Sequence, residues 1–297
     1  MYPRAFHYHR ASTLKEASAL LGQLGEGAKL LAGGQSLIPL MKLRFANPAH
    51  LIDLNFIPAT SYIREESGLL RFGPLTRHAE IEASEIAARV PILHDCAAGI
   101  ADVQVRNRGS IGGSLAEADP SGDWATALMT LACEVRCLGP GGERMLPLKD
   151  FVKDAYTTAL SHDELISEVG VRIPAAHSGG AYLAFKRAAP VYPTASAAVQ
   201  LTMDGDACRD VAIALGCVGL TAIRAAEAEG ELRGKVLDAK TIETAKQAAR
   251  AAADPQPDMR GSAEYKRQLV GALVKQAIGI ARRRARGEHV EANHLYA

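Results

Sequence analysis

Two pairs of adjacent glycines, each with a serine close behind, are the residues of this chain best suited to chemistry. Gly33 and Gly34 stand in AGGQSL, Ala32 to Leu37, with Ser36 after them. Gly112 and Gly113 stand in RNRGSIGGSLAEADPSGDW, Arg106 to Trp124, with Ser114 after them. Paired glycines accept positive φ and let the backbone come close to a ligand. Successive N–H groups in such a turn form a concave anion site, and the serine adds a hydroxyl donor. Two such turns in one chain can hold a diphosphate from both sides, although either alone is more often a plain tight turn. Neither opens a helix as GxGxxG nor reads GxxxxGK[ST], so a Rossmann site and a P-loop are not expected.

The second segment carries charge around its glycines. Arg106 and Arg108 precede them and can balance phosphate charge. Asp119 and Asp123 follow, and a carboxylate there can accept hydrogen bonds from a sugar hydroxyl. Asp123 can also simply begin a helix, where an acid suits the N-terminus. The other reactive residue types form no pattern. Cys96, Cys133, Cys137, Cys208 and Cys217 are odd in number and contain no CxxC, which points to buried thiols. A disulfide framework, a zinc site or an iron–sulfur cluster needs closer sets. The 9 histidines are scattered without an HExxH pair, so no metal ligands are expected.

These turns need elements to hold them. Thr13 and Glu16 have capping-box spacing, and Leu14, Ala17, Leu20, Leu21 and Leu24 follow at helical intervals until Gly25. Residues 28–32, 51–54 and 69–73 read as strands. Helices are expected over 76–90, from Pro91 to about residue 100, and over 123–132. Residues 134–173 read as strand and loop. After Gly180 the pattern becomes YLAFK, TASAAVQLTM and CRDVAIALGCVG, with DGD as a hairpin turn between the last two. Three alanine-rich helical patterns follow, the last over 262–284. A domain boundary is placed near 175–180, and the mixed elements predict an α+β or α/β class.

Composition bounds the function. The chain has 297 residues, 48% of them hydrophobic and 23% charged, as in an ordinary globular protein with one to three domains. Its net charge of +1 gives no bulk attraction to nucleic acid or anionic membrane. The basic run Arg282, Arg283, Arg284 and Arg286 ends the last helix, where cations complement the helix dipole. The opening MYPRAFHYHR has no apolar leader core, and the apolar run from Val211 to Leu220 is about half a membrane span. The expectation is a cytoplasmic protein with no membrane span.

AGGQSL and SIGGSLAEADPSGDW, in this order and with this separation, resemble the FAD-binding (medium) subunit of the molybdenum hydroxylases. That family includes the medium subunit of carbon monoxide dehydrogenase and the flavin domain of xanthine dehydrogenase. The resemblance extends over nearly the whole chain. It implies an α+β fold: a two-subdomain FAD-binding part of the vanillyl-alcohol-oxidase type, residues 1–177 with subdomains of about 1–56 and 57–177. A C-terminal part, 178–297, would hold a three-stranded antiparallel sheet and helices. It also implies FAD contacts from Ala32, Gly33, Gly34, Gln35, Ser36 and Leu37 in the first segment. Ser110, Ile111, Gly112, Gly113 and Ser114 in the second would grip the diphosphate. Asp123, Lys186 of YLAFKR and Tyr192 of RAAPVYPTASAAV complete the implied set. Ser110 and Ser114 stand where the family usually has Thr and Asn. Ser110 keeps a hydroxyl, Ser114 lacks the amide, and Pro190 and Pro193 around Tyr192 also depart from relatives.

The implied activity is electron transfer. FAD on this chain would take electrons from a small [2Fe–2S] subunit and pass them to NAD, a quinone or oxygen. A large subunit with the molybdenum cofactor would oxidise the substrate, in a dimer of heterotrimers. No catalytic residue is expected on this chain. The alternatives are a stand-alone flavin oxidoreductase of the same fold and a flavin-free scaffolding module.

Overall fold

The computed structural model describes residues 2–296. Three sheets organise them. The first is parallel, with His50–Asp53 between His7–Arg10 and Ala28–Leu31. Its crossover is the helix Leu14–Leu24, which buries Ala17 and Leu21. Thr13 Oγ1 accepts from the Glu16 N–H at 3.0 Å, as the spacing predicts. The returning carboxylate of Glu16 accepts instead from the N–H of Ser12, one residue earlier than an ideal capping box.

The second sheet is antiparallel, in the order Ile63–Glu66, Leu69–Phe72, Leu165–Arg172, Cys133–Gly139, Gly142–Pro147. Helices cover its inner face, and Phe72, Ile92, Leu93, Trp124, Leu128, Val135 and Val169 form the core between them. The single helix expected over 76–90 is two short ones, His78–Glu82 and Glu85–Ala88. Ser84 divides them because its Oγ accepts from the Ala87 N–H at 3.2 Å, a cap that competes with helix continuation. Pro91 begins a separate helix, Pro91–Gly99. The helix expected over 123–132 stops at Met129, where the Thr130 hydroxyl donates back to the Ala127 carbonyl.

The third sheet has three long antiparallel strands, Ser178–Lys186, Ala195–Asp204 and Ala207–Gly216. Two-residue pieces, Ile223–Arg224 and Leu295–Tyr296, extend its edges. Ala181 and Leu183 face the helices Ala226–Leu232, Ala239–Ala252 and Ala263–Ala285. Tyr182 and Ala184, pointing the other way, pack into the core of the second sheet's helices. A strand buried on both faces reads as a continuous apolar run, which is why YLAFK shows no alternation. Among the described residues no helix is long and apolar enough to cross a membrane.

Candidate cofactor site

The two glycine segments touch. The first leaves the strand Ala28–Leu31, and Gly34 takes φ +73°. A Cβ on Gly33 would lie 2.2 Å from the carbonyl oxygen of Arg108 and 2.8 Å from Cα of Gly109. The turn therefore lies backbone to backbone against the residues that lead into the second segment. A Cβ on Gly113 would lie 3.7 Å from that of Ala32. Arg77 ties the contact together: Nη1 donates to the Arg108 carbonyl and Nη2 to Oδ1 of Asn55, both at 2.6 Å. Asn55 Nδ2 in turn donates to the Ala32 carbonyl at 2.8 Å. Burial, and next the charge of Arg108, lower the pKa of Arg77, a guanidinium that stays charged in proteins.

A cavity of about 300 Å³ opens beside this contact. Ala32, Gly33, Gly34, Gln35, Ser36 and Leu37 line one wall, and Ser110, Gly113 and Ser114 another. Asp123, Lys186 and Tyr192 close the remaining side. Ile111 and Gly112 do not line it. Helix periodicity turns them inward: Ile111 is fully buried in the core, and a Cβ on Gly112 would meet the Pro74 carbonyl at 2.5 Å. Gly112 is thus required by packing, not by ligand space. Ser110 caps the helix Ile111–Glu117, its Oγ accepting from the Gly113 N–H at 3.2 Å. Its own hydroxyl proton remains to donate.

Charge is arranged on the third side. Lys186 is 1% exposed. Its Nζ donates to the Gly99 carbonyl, which uses one of an ammonium's three donors. Asp123 is the first residue of the helix Asp123–Met129, as the helix-start reading expects, and it also lines the cavity. Its carboxylate accepts from the Tyr182 hydroxyl at 2.6 Å. Burial pushes its pKa up and the charge of Lys186 opposes that push. Tyr192 is held at the mouth, with the Arg260 guanidinium 5.8 Å from its ring centre. Arg260 also donates to Oγ of Ser121 at 3.3 Å. Burial raises the pKa of the Tyr192 phenol, and the charge of Asp119 adds to it.

Sequence reasoning missed several of these residues. His78 lines the cavity, and its Nδ1 accepts from the Trp124 indole at 3.0 Å. Burial lowers its pKa to about 4, so the ring is neutral with its proton on Nε2. Nothing distinguished it from the other histidines before the fold brought Trp124 to it. Arg77 likewise gave no signal, since its role depends on two carbonyl and amide groups distant in sequence. Of the two expected phosphate-balancing arginines, Arg106 is tied to Glu82 at 2.9 Å and to the Ile100 carbonyl at 3.1 Å. Arg108 lines a second, more open hollow with Lys42 on the far side of Gly33 and Gly34. Cys96, Cys133, Cys137 and Cys208 are buried thiols and Cys217 is half-buried. Among the described residues no group of three or more His, Cys, Asp or Glu is placed to hold a metal.

A large anionic cofactor fits these residues. Backbone bare of side chains lines one side, serine hydroxyls stand beside it, and a buried ammonium has donors to fill. The family profiles agree. Residues 4–176 match the FAD binding domain in molybdopterin dehydrogenase, and residues 180–281 match the CO dehydrogenase flavoprotein C-terminal domain. The chain is 41% identical to the carbon monoxide dehydrogenase medium chain of Hydrogenophaga pseudoflava, over 95% of this chain and 98% of that one. It is 37% identical to the 6-hydroxypseudooxynicotine dehydrogenase complex subunit alpha of Paenarthrobacter nicotinovorans, over 99% and 100%. Among solved structures, a carbon monoxide dehydrogenase from Hydrogenophaga pseudoflava that lacks the Mo-pyranopterin moiety superposes with a TM-score of 0.92. That match is at 42% identity, over 95% of this chain and 98% of that one. The fold, the glycine-lined cavity and these similarities agree, and the chain belongs to the FAD-binding medium subunits of the molybdenum hydroxylase family of oxidoreductases.

Proposed function

We propose that the cavity between the two glycine segments holds the FAD, and that the chain is the electron-transfer subunit of a heteromeric molybdenum hydroxylase. Electrons enter from a small [2Fe–2S] subunit and leave to an external acceptor: NAD, a quinone or oxygen. A large molybdopterin subunit oxidises the organic substrate, and the cytoplasmic complex is a dimer of such heterotrimers. Residues 1–177, divided near 56, form the cofactor-binding part and 178–297 the C-terminal part. The names of the relatives, a medium chain and a complex subunit, support a multi-subunit assembly. FAD supplies a carrier that accepts and releases electrons in a protein that orients and tunes it.

The residues of this chain divide that task. Gly33, Gly34 and Gly113 let backbone reach contact distance, and Ser36, Ser110 and Ser114 offer hydroxyls. Lys186 holds a positive charge in a site of low dielectric, where it acts more strongly than in water. Tyr182 holds Asp123 in one orientation, and Tyr192 offers a ring face at the mouth. The observation that carries the proposal is the backbone contact of the two glycine segments beside the buried, incompletely bonded Lys186. The test is a visible spectrum of the purified chain, with identification of the cofactor released on denaturation. FAD without iron–sulfur absorption is the expected result. A colourless chain that also refuses added FAD would overturn the proposal.

A further inference from the structure

The chain returns to the cavity at its C-terminal end. In the last turn of the helix Ala263–Ala285, Arg284 donates to the Val290 carbonyl through Nε at 2.9 Å and Nη2 at 2.7 Å. The same guanidinium pairs with the buried Asp95, with Nη1 2.6 Å from Oδ2. The tail is thereby led to the seam between the helix Pro91–Gly99 and the strand Ser178–Lys186. There the ring of His294 enters. The Ala184 N–H donates to its Nδ1 at 3.2 Å, and Nε2 lies 2.9 Å from the carbonyl oxygen of Asp95. A backbone N–H only donates and a carbonyl only accepts, so the two contacts fix one neutral tautomer with its proton on Nε2.

Both contacts lead to Lys186, which lines the cavity. Ala184 is two residues before Lys186 on the same strand face. Asp95 is one helical turn before Gly99, whose carbonyl accepts from Lys186. The His294 ring lies so close on Gly99 that a Cβ there would be 2.3 Å from Nε2. It also meets the Tyr182 ring edge-on, with centres 5.9 Å apart, and the Tyr182 hydroxyl holds Asp123. Beyond His294 the chain pairs in parallel with Phe185 and Lys186.

We propose that the C-terminal tail is a strap that positions Lys186 and Asp123 in the cofactor cavity, with His294 as the positioning residue. His294 is not among the residues that line the cavity. It locks the strand that carries Lys186 to the helix that carries the acceptor of Lys186. The inference rests on the cofactor reading only in its consequence for FAD.

The test uses the full chain with His294→Ala and His294→Gln. A glutamine amide also presents one acceptor and one donor, so it can replace the ring's two bonds. Three quantities are read: the FAD dissociation rate, the acylation rate of Lys186 by acetic anhydride in the FAD-free chain, and the unfolding temperature of that chain. His294→Ala should release FAD about ten-fold faster, the size of one lost neutral hydrogen bond, and acylate Lys186 faster. His294→Gln should restore both toward wild type. Wild-type release and acylation in His294→Ala would overturn the strap. So would equal impairment of Ala and Gln, which would mean packing alone. If His294→Ala does not fold, His294→Asn, too short to reach both partners, takes its place with the same expectation. A wild-type chain that takes up no FAD, while Lys186 acylation still follows residue 294, would sink the cofactor reading and leave the strap standing.

Discussion

Gly33 has no room for a side chain. A methyl group there would meet the Arg108 carbonyl at 2.2 Å, and backbone cannot rotate aside as a side chain can. Gly33→Ala should therefore part the two glycine segments and lose FAD, read as flavin absorbance per protein. Full flavin content in that variant would show that the contact is dispensable. Asp123 permits a graded comparison. Asp123→Asn keeps an oxygen to accept from Tyr182, whereas Asp123→Ala leaves that buried hydroxyl without its partner. The alanine should cost about 1–3 kcal/mol of stability and the asparagine less, by denaturant titration of the two variants. At this scale the glycines, serines and Asp123 were legible from residue type and spacing, and Lys186 and Tyr192 only through the family resemblance. Gly33, Gly34 and Gly113, the serines beside them, Asp123, Lys186 and Tyr192 all come to one cavity. Ile111 and Gly112 lie outside the lining, because membership of a motif does not say which face of a helix a residue takes.

Elements place those residues, and the placement depends on few side chains. Arg77, at the start of the helix His78–Glu82, reaches the carbonyl of Arg108 and the amide of Asn55, which holds Ala32. Arg77→Gln can make at most part of this bridge. It should weaken FAD binding while leaving the second sheet's core intact, and calorimetric titration of the FAD-free chain would measure it. An affinity equal to wild type would mean that the glycine contact holds itself. The long-range bridge was invisible in the sequence because its partners lie 22 and 31 residues from Arg77 in the chain. Local signals fared better. The strands of the third sheet, the helix after Ser262 and the break at Pro91 follow from apolar patterning and capping. The division of the 76–90 helix at Ser84 was missed, since a serine within an apolar-periodic run can either continue a helix or cap the next one.

Across the whole molecule, the C-terminal sheet is joined to the cofactor-binding part through buried polar groups, and these make the fold sensitive to acid. Burial holds His78 and His294 at pKa values of about 4, against an ordinary value near 6.5. Between these values the unfolded chain takes up protons that the folded chain refuses, so stability is complete above about pH 6.5 and falls toward pH 4. Each histidine accounts for roughly 2–3 kcal/mol over that window. Asp95 and Asp123, whose pKa values burial raises, act in the opposite sense and blunt the loss. The two histidines can be separated. Protonation of His294 would place a donor on Nδ1 against the Ala184 N–H and a charge beside Lys186, with Arg284 and Asp95 already paired to each other. A chain with His294→Gln has no proton to gain there. Its unfolding free energy should fall less steeply from pH 6.5 to 4 than that of wild type, in denaturant titrations of the FAD-free chain. Parallel slopes would mean that His294 is protonated in the folded state at little cost, and that the seam between the two parts tolerates charge.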